Sequence, residues 1–210
     1  MDKFIVNGGN QISGSVDISG AKNAVLPLMT AALLVDGKTT INSVPDLRDT
    51  RTMIRLLEII GAKVAFKNNS LSINASDVNN LEAPYDLVKT MRASFYVLGP
   101  LLARFGEVRV SLPGGCAWGP RPVDYHLNAL EEMGGIVTLT SGDINVKGKL
   151  KGANISFVQS SVGATGNTLM AACKADGKTT ITNYAKEPEI IDLTNFLIKM
   201  GSKINIINDK

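Results

Sequence analysis

Gly37-Lys38-Thr39-Thr40-Ile41-Asn42 returns almost unchanged as Gly177-Lys178-Thr179-Thr180-Ile181-Thr182. Between them, Gly106-Glu107-Val108-Arg109-Val110-Ser111 keeps the pattern with weaker identity. The leading glycines stand 69 and 71 residues apart. A second landmark follows each: Ile60-Gly61-Ala62-Lys63-Val64, Met133-Gly134-Gly135-Ile136-Val137 and Met200-Gly201-Ser202-Lys203-Ile204. Matched pairs at so even a step predict three repeated supersecondary units, with a period too long for a thin solenoid.

Each unit reads alike. An apolar helix is expected first, over 24–34, 91–103 and 164–174. The first landmark then alternates as a strand does. A second helix, such as Thr52 to Ile60, leads to the second landmark, whose glycine suits a left-handed helix C-cap. A strand pair follows, as in Lys63-Val64-Ala65-Phe66 and Ser70-Leu71-Ser72-Ile73, turned by Lys67-Asn68-Asn69. The class is α/β (α+β), with the apolar helix of each unit expected at the centre. The units differ in two places. From first to second landmark glycine takes 24 residues in units one and three and 28 in unit two. The extra residues fall in Pro113-Gly114-Gly115-Cys116-Ala117-Trp118-Gly119-Pro120-Arg121-Pro122. Unit three stops at Asn205-Ile206-Ile207-Asn208-Asp209-Lys210, before its last strand. The chain is therefore expected to be cut short, with an open sheet edge.

Composition excludes several classes. The chain is 44% hydrophobic and 20% charged, an ordinary soluble globular balance. A net charge of +3, no basic run and 5% aromatics argue against nucleic acid. The mild positive excess suits small anionic ligands where charges converge. Met1-Asp2-Lys3-Phe4-Ile5-Val6 lacks the apolar core and cleavage site of a signal peptide. No apolar stretch nears the ~18 residues that span a bilayer. Two cysteines in unlike contexts and one histidine argue against structural zinc. A cytoplasmic protein with reduced thiols is the expectation, Cys173 being a core thiol.

The Cys116 loop sets a thiol among glycines and prolines, with Arg121 five positions on. A cysteine there meets solvent or substrate, and a nearby cation favours its thiolate; an incidental cysteine in a surface loop fits the composition equally. Ser19-Gly20-Ala21-Lys22-Asn23, Lys89-Thr90-Met91-Arg92-Ala93-Ser94 and Gln159-Ser160-Ser161-Val162 open the apolar helices. Helix N-termini hold anions through free N–H groups. Lys22, Arg48, Arg92 and Arg121 are expected to face one cleft and clamp a phosphate and a carboxylate. Ordinary caps beside solvated cations are the simpler reading. Glu187-Pro188-Glu189 either orients Lys22 or Arg121 or is solvated. Asp124 reads as a cap, with His126 in a structural role.

Four stretches carry a family resemblance: Ser19-Gly20-Ala21-Lys22-Asn23, Pro84-Tyr85-Asp86-Leu87-Val88-Lys89-Thr90-Met91-Arg92-Ala93-Ser94, Leu112-Pro113-Gly114-Gly115-Cys116 and Arg121-Pro122-Val123-Asp124. From Met1 to about Lys210 the chain resembles the enolpyruvyl transferases, and among them the members whose acceptor is UDP-N-acetylglucosamine. The resemblance implies an inside-out α/β barrel of three βαβαββ-type units per domain. Residues 21–210 would form the first domain, and residues 1–20 would join a second domain that this chain lacks.

The implied reaction moves the enolpyruvyl group of phosphoenolpyruvate to the sugar 3-hydroxyl and releases phosphate, the first committed step of peptidoglycan synthesis. No metal and no organic cofactor is implied. Lys22 and Arg121 would hold phosphoenolpyruvate, with Asn23 beside the reacting groups. Arg92, Arg121, Pro122, Val123, Asp124, Tyr125, Gln159, Ser160, Ser161 and Val162 would line the nucleotide sugar. Arg48, Glu187 and Glu189 would support the site. Cys116 would protonate the enolpyruvyl methylene, form a phospholactoyl adduct and take the epoxide antibiotic fosfomycin. A carboxylate and further arginines would come from the second domain, so this chain alone is expected to be an inactive half.

Trp118, Tyr125, Tyr96 and Gln159 depart from the commonest family residues without removing a catalytic group. Two alternatives remain. One is the related synthase that uses shikimate 3-phosphate, which lacks the loop cysteine and carries an Asn-Ala-Gly-Thr-type motif where this chain has Lys-Thr-Met-Arg-Ala-Ser. The other is a non-catalytic fragment that binds the nucleotide sugar.

Overall fold

The structure is a computed structural model and describes residues 3–112 and 123–207. Helix α1 (Lys22–Ala31) passes into one 3-10 turn (Ala32–Leu34), and nearly all of 24–34 is buried. Strand β1 (Lys38–Ile41), helix α2 (Arg48–Ile60) and the hairpin β2 (Lys63–Lys67)–β3 (Ser70–Asn74) follow. Met53, Leu56, Leu57 and Ile60 recur at helical spacing and bury one face of α2. Asn68 and Asn69 both take positive φ, 51° and 57°, as a type I′ hairpin turn requires.

Next come β4 (Glu82–Ala83), α3 (Tyr85–Val88), a 3-10 run (Arg92–Val97), α4 (Leu98–Phe105), β5 (Glu107–Ser111), α5 (Asp124–Glu132), β6 (Ile136–Thr140) and β7 (Asp143–Lys147). The last elements are β8 (Asn154–Ser156), α6 (Val162–Ala172), β9 (Thr180–Thr182) and α7 (Pro188–Lys199). The helix expected over 91–103 thus begins as a 3-10 run. Pro100 has no N–H for the Tyr96 carbonyl, and its ring crowds that oxygen, so the segment before it winds differently.

The strands form three sheets, ordered β1-β3-β2, β4-β5-β7-β6 and β8-β9. β4–β5 and β8–β9 are parallel and the other pairs antiparallel. The parallel pairs enclose α4 and α6 as crossovers, the connection that parallel strands require. After Gly61 and Gly134 the next strand pairs, among the described residues, only with the one following it, β2 with β3 and β6 with β7. Residues 202–207 after Gly201 have no following strand among the described residues and pair with none there.

The three second-landmark glycines end their helices identically. Gly61, Gly134 and Gly201 have φ of 106°, 93° and 102°. Their N–H groups donate to Glu58, Glu131 and Ile198, and the next residues donate to Leu57, Leu130 and Leu197. That pair of bonds is the Schellman motif, which needs a left-handed residue.

One core runs through α1, α2, α4, α5, α6, β3, β5 and β7. A second cluster joins Ala31 and Leu34 to Met170 of α6 and Leu193 and Leu197 of α7. Arg104 Nη1 donates to the carbonyls of Leu33, Val35 and Ala75 at 3.0, 2.8 and 2.9 Å, tying α4 to the ends of α1 and β3. Residues 3–20 form no helix or strand and are almost wholly exposed, Phe4, Ile12 and Ile18 included. No described helix is long and apolar enough to cross a membrane.

Candidate functional site

Close backbone packing sets the start of α1. A Cβ on Gly20 would lie 1.9 Å from the Ser43 carbonyl oxygen, so no side chain fits there. Lys22 and Asn23 then open α1, both exposed. The N-cap residue Ala21 gives these first N–H groups no side-chain bond, the arrangement in which a helix end receives an anion. Ala21, Lys22, Asn23 and Ala24 face Pro188, Glu189 and Asp192 of α7 across a cleft of about 520 Å³.

Lys22 Nζ pairs with Asp49 Oδ2 at 3.1 Å, with side chains 47% and 32% exposed. So open a pair is worth under ~1 kcal/mol and exchanges readily for another anion. Glu189 shares the cleft, but the ion pair of Lys22 is with Asp49. Among the described lining residues one cation faces two carboxylates, Glu189 and Asp192. A phosphate would need further positive charge here.

Among the described residues expected for the nucleotide sugar, Val123 to Tyr125 stand at the start of α5 and Gln159 to Val162 at the start of α6. Val123 is the N-cap residue of α5, and Asp124 is its first residue rather than a side-chain cap. Tyr125 is half-buried beside it. Ser161 caps α6, its Oγ accepting from the Ala164 N–H at 3.3 Å, and Val162 is the first helical residue. Gln159 and Ser160 are exposed. Ser160 lines a second recess of about 450 Å³ with Asn183, Tyr184, Lys186 and Glu187. Glu187 and Glu189 thus stand at two recesses on either side of Pro188.

Three of the four expected cations, Lys22, Arg48 and Arg92, are among the described residues. Lys22 lines the first recess; Arg48 and Arg92 line neither. Arg48 is the exposed first residue of α2, beside Asp49. Arg92 opens the 3-10 run and acts on His126 at the α5–α6 contact. Cys116, Trp118, Arg121 and Pro122 lie outside the described residues. Cys173 is half-buried with Sγ on the Leu169 carbonyl at 3.2 Å, and burial pushes its thiol up.

Sequence reasoning missed the scaffold beneath these starts. Asn167, fully buried in α6, inserts its amide between Phe95 and Gly99, accepting from the Gly99 N–H at 2.8 Å and donating to the Phe95 carbonyl at 3.1 Å. Gly163 and Gly166 admit two rings against α6. A Cβ at Gly166 would lie 2.7 Å from Tyr96 Cε1, and one at Gly163 3.0 Å from His126 Cε1. The signal was present as Gly163-Ala164-Thr165-Gly166-Asn167, since glycine costs a helix about 1 kcal/mol and needs a reason to be there. Burial, and then Glu189, push the Tyr96 phenol up.

A family model described as EPSP synthase (3-phosphoshikimate 1-carboxyvinyltransferase) matches residues 6–210. Among curated relatives, the UDP-N-acetylglucosamine 1-carboxyvinyltransferase of Chlorobaculum parvum is 57% identical over 209 residues, 98% of this chain and 49% of its own length. The protein of that name from Chloroherpeton thalassium is 56% identical over the same share of both chains. The one from Acinetobacter baylyi is 52% identical over 206 residues. The chain spans about half the length of the curated relatives it matches. Among solved structures, the enolpyruvyl transferase NikO from Streptomyces tendae superposes with a TM-score of 0.82 at 24% identity, over 94% of this chain and 47% of that one. EPSP synthase from Acinetobacter baumannii superposes at 0.66 with 16% identity, over 85% of this chain and 42% of that one. These two likenesses carry the mixed α/β fold.

Proposed function

The chain belongs to the EPSP synthase family of enolpyruvyl transferases, and from that premise we propose that it supplies one half of a UDP-N-acetylglucosamine 1-carboxyvinyltransferase. The observation that carries the reading is identity above 50% to curated relatives of that name along nearly the whole chain. The shikimate reading has only the general family description and distant structures behind it.

In this reading phosphoenolpyruvate sits at the start of α1. Lys22 leaves Asp49 for its phosphate, and Arg121 adds the charge that the cleft needs. Asn23 lies beside the reacting groups. Glu187 and Glu189 orient the cations, and Arg48 supports the site with its positive charge. Arg92, Arg121 to Tyr125 and Gln159 to Val162 hold the nucleotide sugar between the starts of α5 and α6. Cys116 gives its proton to C3 of phosphoenolpyruvate, leaving C2 oxocarbenium-like. The sugar 3-hydroxyl adds to C2 and loses its proton to a carboxylate of the other half. Phosphate then leaves C2, and a proton lost from the C3 methyl restores the double bond.

The same proposal makes residues 21–210 one domain, an inside-out barrel of three related units, with residues 1–20 reaching toward the second. The shared order of β1-β3-β2 and β5-β7-β6, the parallel pairs around α4 and α6, and the three matching Schellman ends support it. A cytoplasmic location accords with a nucleotide-sugar substrate.

Reconstitution tests the proposal. This chain is mixed with the remaining half of the Chlorobaculum parvum relative, and phosphate release is followed with both substrates present. Release is expected from the mixture and not from either half alone. Cys116→Ala should slow it by about 100-fold or more, the scale of a lost general acid. Turnover by the 210-residue chain alone would refute the half-site, and a folded, associated mixture without turnover would refute the activity.

A further inference from the structure

His126, the chain's one histidine, stands on the first turn of α5 and is 7% exposed. Asn167 fixes its tautomer. Because the Gly99 N–H donates to Asn167 Oδ1, the amide's Nδ2 is the end that faces the ring. Nδ2 meets His126 Nδ1 at 2.8 Å, so Nδ1 is the acceptor and the neutral ring carries its proton on Nε2. The opposite edge lies on the first turn of α6, where a Cβ at Gly163 would be 3.0 Å from Cε1 and 3.1 Å from Nε2. Phe95 closes edge-on at 5.0 Å. Burial, and then the Arg92 charge, push the imidazole down to about 3, so it stays uncharged at neutral pH.

One ring therefore joins the start of α5 to the first turn of α6 and feels the Arg92 charge. It belongs to the α5 turn that bears Val123, Asp124 and Tyr125. It backs the α6 turn that follows Ser161 and Val162, and the Arg92 charge acts on it. We infer that His126 is a positioning residue that fixes the separation of the α5 and α6 starts, and with it the register of Arg92, for a uridine diphosphate sugar. This rests on the functional reading above. The residue acts through Gly163 and Asn167, as an acceptor and a spacer one imidazole thick.

The test titrates UDP-N-acetylglucosamine calorimetrically into the 210-residue chain and into His126→Leu, His126→Asn and Gly163→Ala. A long-range 1H–15N spectrum of the imidazole is recorded alongside. Wild type should bind and show an Nε2–H ring that does not titrate from pH 8 to pH 5. His126→Leu, folded by its dispersed amide spectrum, should lose affinity about tenfold or more, the scale of one orphaned buried donor. His126→Asn keeps an acceptor near the Nδ1 position and should stay within about threefold of wild type. Both variants lose the ring, so both should melt lower, and the order of affinities separates positioning from stability. Should His126→Leu not fold, Gly163→Ala decides, because pressing on the ring edge should weaken binding about fivefold. Wild-type affinity in folded His126→Leu or Gly163→Ala, or an Nδ1–H tautomer, would overturn the inference alone. No binding by wild type, with the Nε2–H ring observed, would overturn the functional reading and the inference with it.

Discussion

His126 ties stability to pH. Its folded pKa of about 3 lies below its ordinary value of 6.5, so the native state resists the proton that the unfolded chain accepts. The stabilisation is complete above pH 6.5 and is lost as pH falls toward 3, at up to about 1.4 kcal/mol per unit. Unfolding in urea at pH 6.5 and at pH 5, above the carboxylate range, should show this slope, and His126→Asn should flatten it. Equal stability of wild type at both pH values would contradict the burial argument. Gly99 offers a steric test at the same place. A Cβ there would lie 2.4 Å from the Asn167 carbonyl oxygen. Gly99→Ala should cost about 2 kcal/mol or more, read as a lower urea midpoint with unchanged slope.

At the scale of elements, the helix ends separate conformational strain from crowding. Gly61 and Gly201 share a left-handed φ, but among the described residues only Gly61 is enclosed: its Cβ would lie 2.8 Å from the Asp77 carbonyl oxygen, whereas no described atom lies within 4 Å at Gly201. Gly201→Ala should cost about 1 kcal/mol, the penalty of a Cβ in that conformation. Gly61→Ala should cost at least twice as much, since backbone must also move. Paired thermal melts decide it, and equal losses would show that the Asp77 contact yields freely. These ends were legible in sequence because a glycine after an apolar helix has one common use. The strands β2, β3, β5, β6 and β7 were legible by alternation. The 3-10 start at Arg92 was not, because it depends on Pro100 and on the Asn167 amide reaching across from α6. Residues 202–207 form no strand among the described residues.

For the whole molecule, the repeats carried the α/β class, and four motifs carried the family. Lys22 and Asn23 were legible as a cation and an amide opening an apolar helix, and the structure sets them in a cleft with Glu189. Asp49 as the partner of Lys22, and the recess around Tyr184 and Lys186, come from long-range packing that local pattern does not register. Ser161→Ala should cost the fold about 1 kcal/mol through its cap, and it should also weaken nucleotide-sugar binding.

The central claim is that this chain holds a nucleotide sugar for enolpyruvyl transfer. Calorimetric titration of the 210-residue chain with UDP-N-acetylglucosamine, and separately with shikimate 3-phosphate, tests it most directly. The account predicts saturable binding of the nucleotide sugar that Arg92→Ala weakens, and no binding of shikimate 3-phosphate. Saturable binding of shikimate 3-phosphate with none of the nucleotide sugar would contradict it.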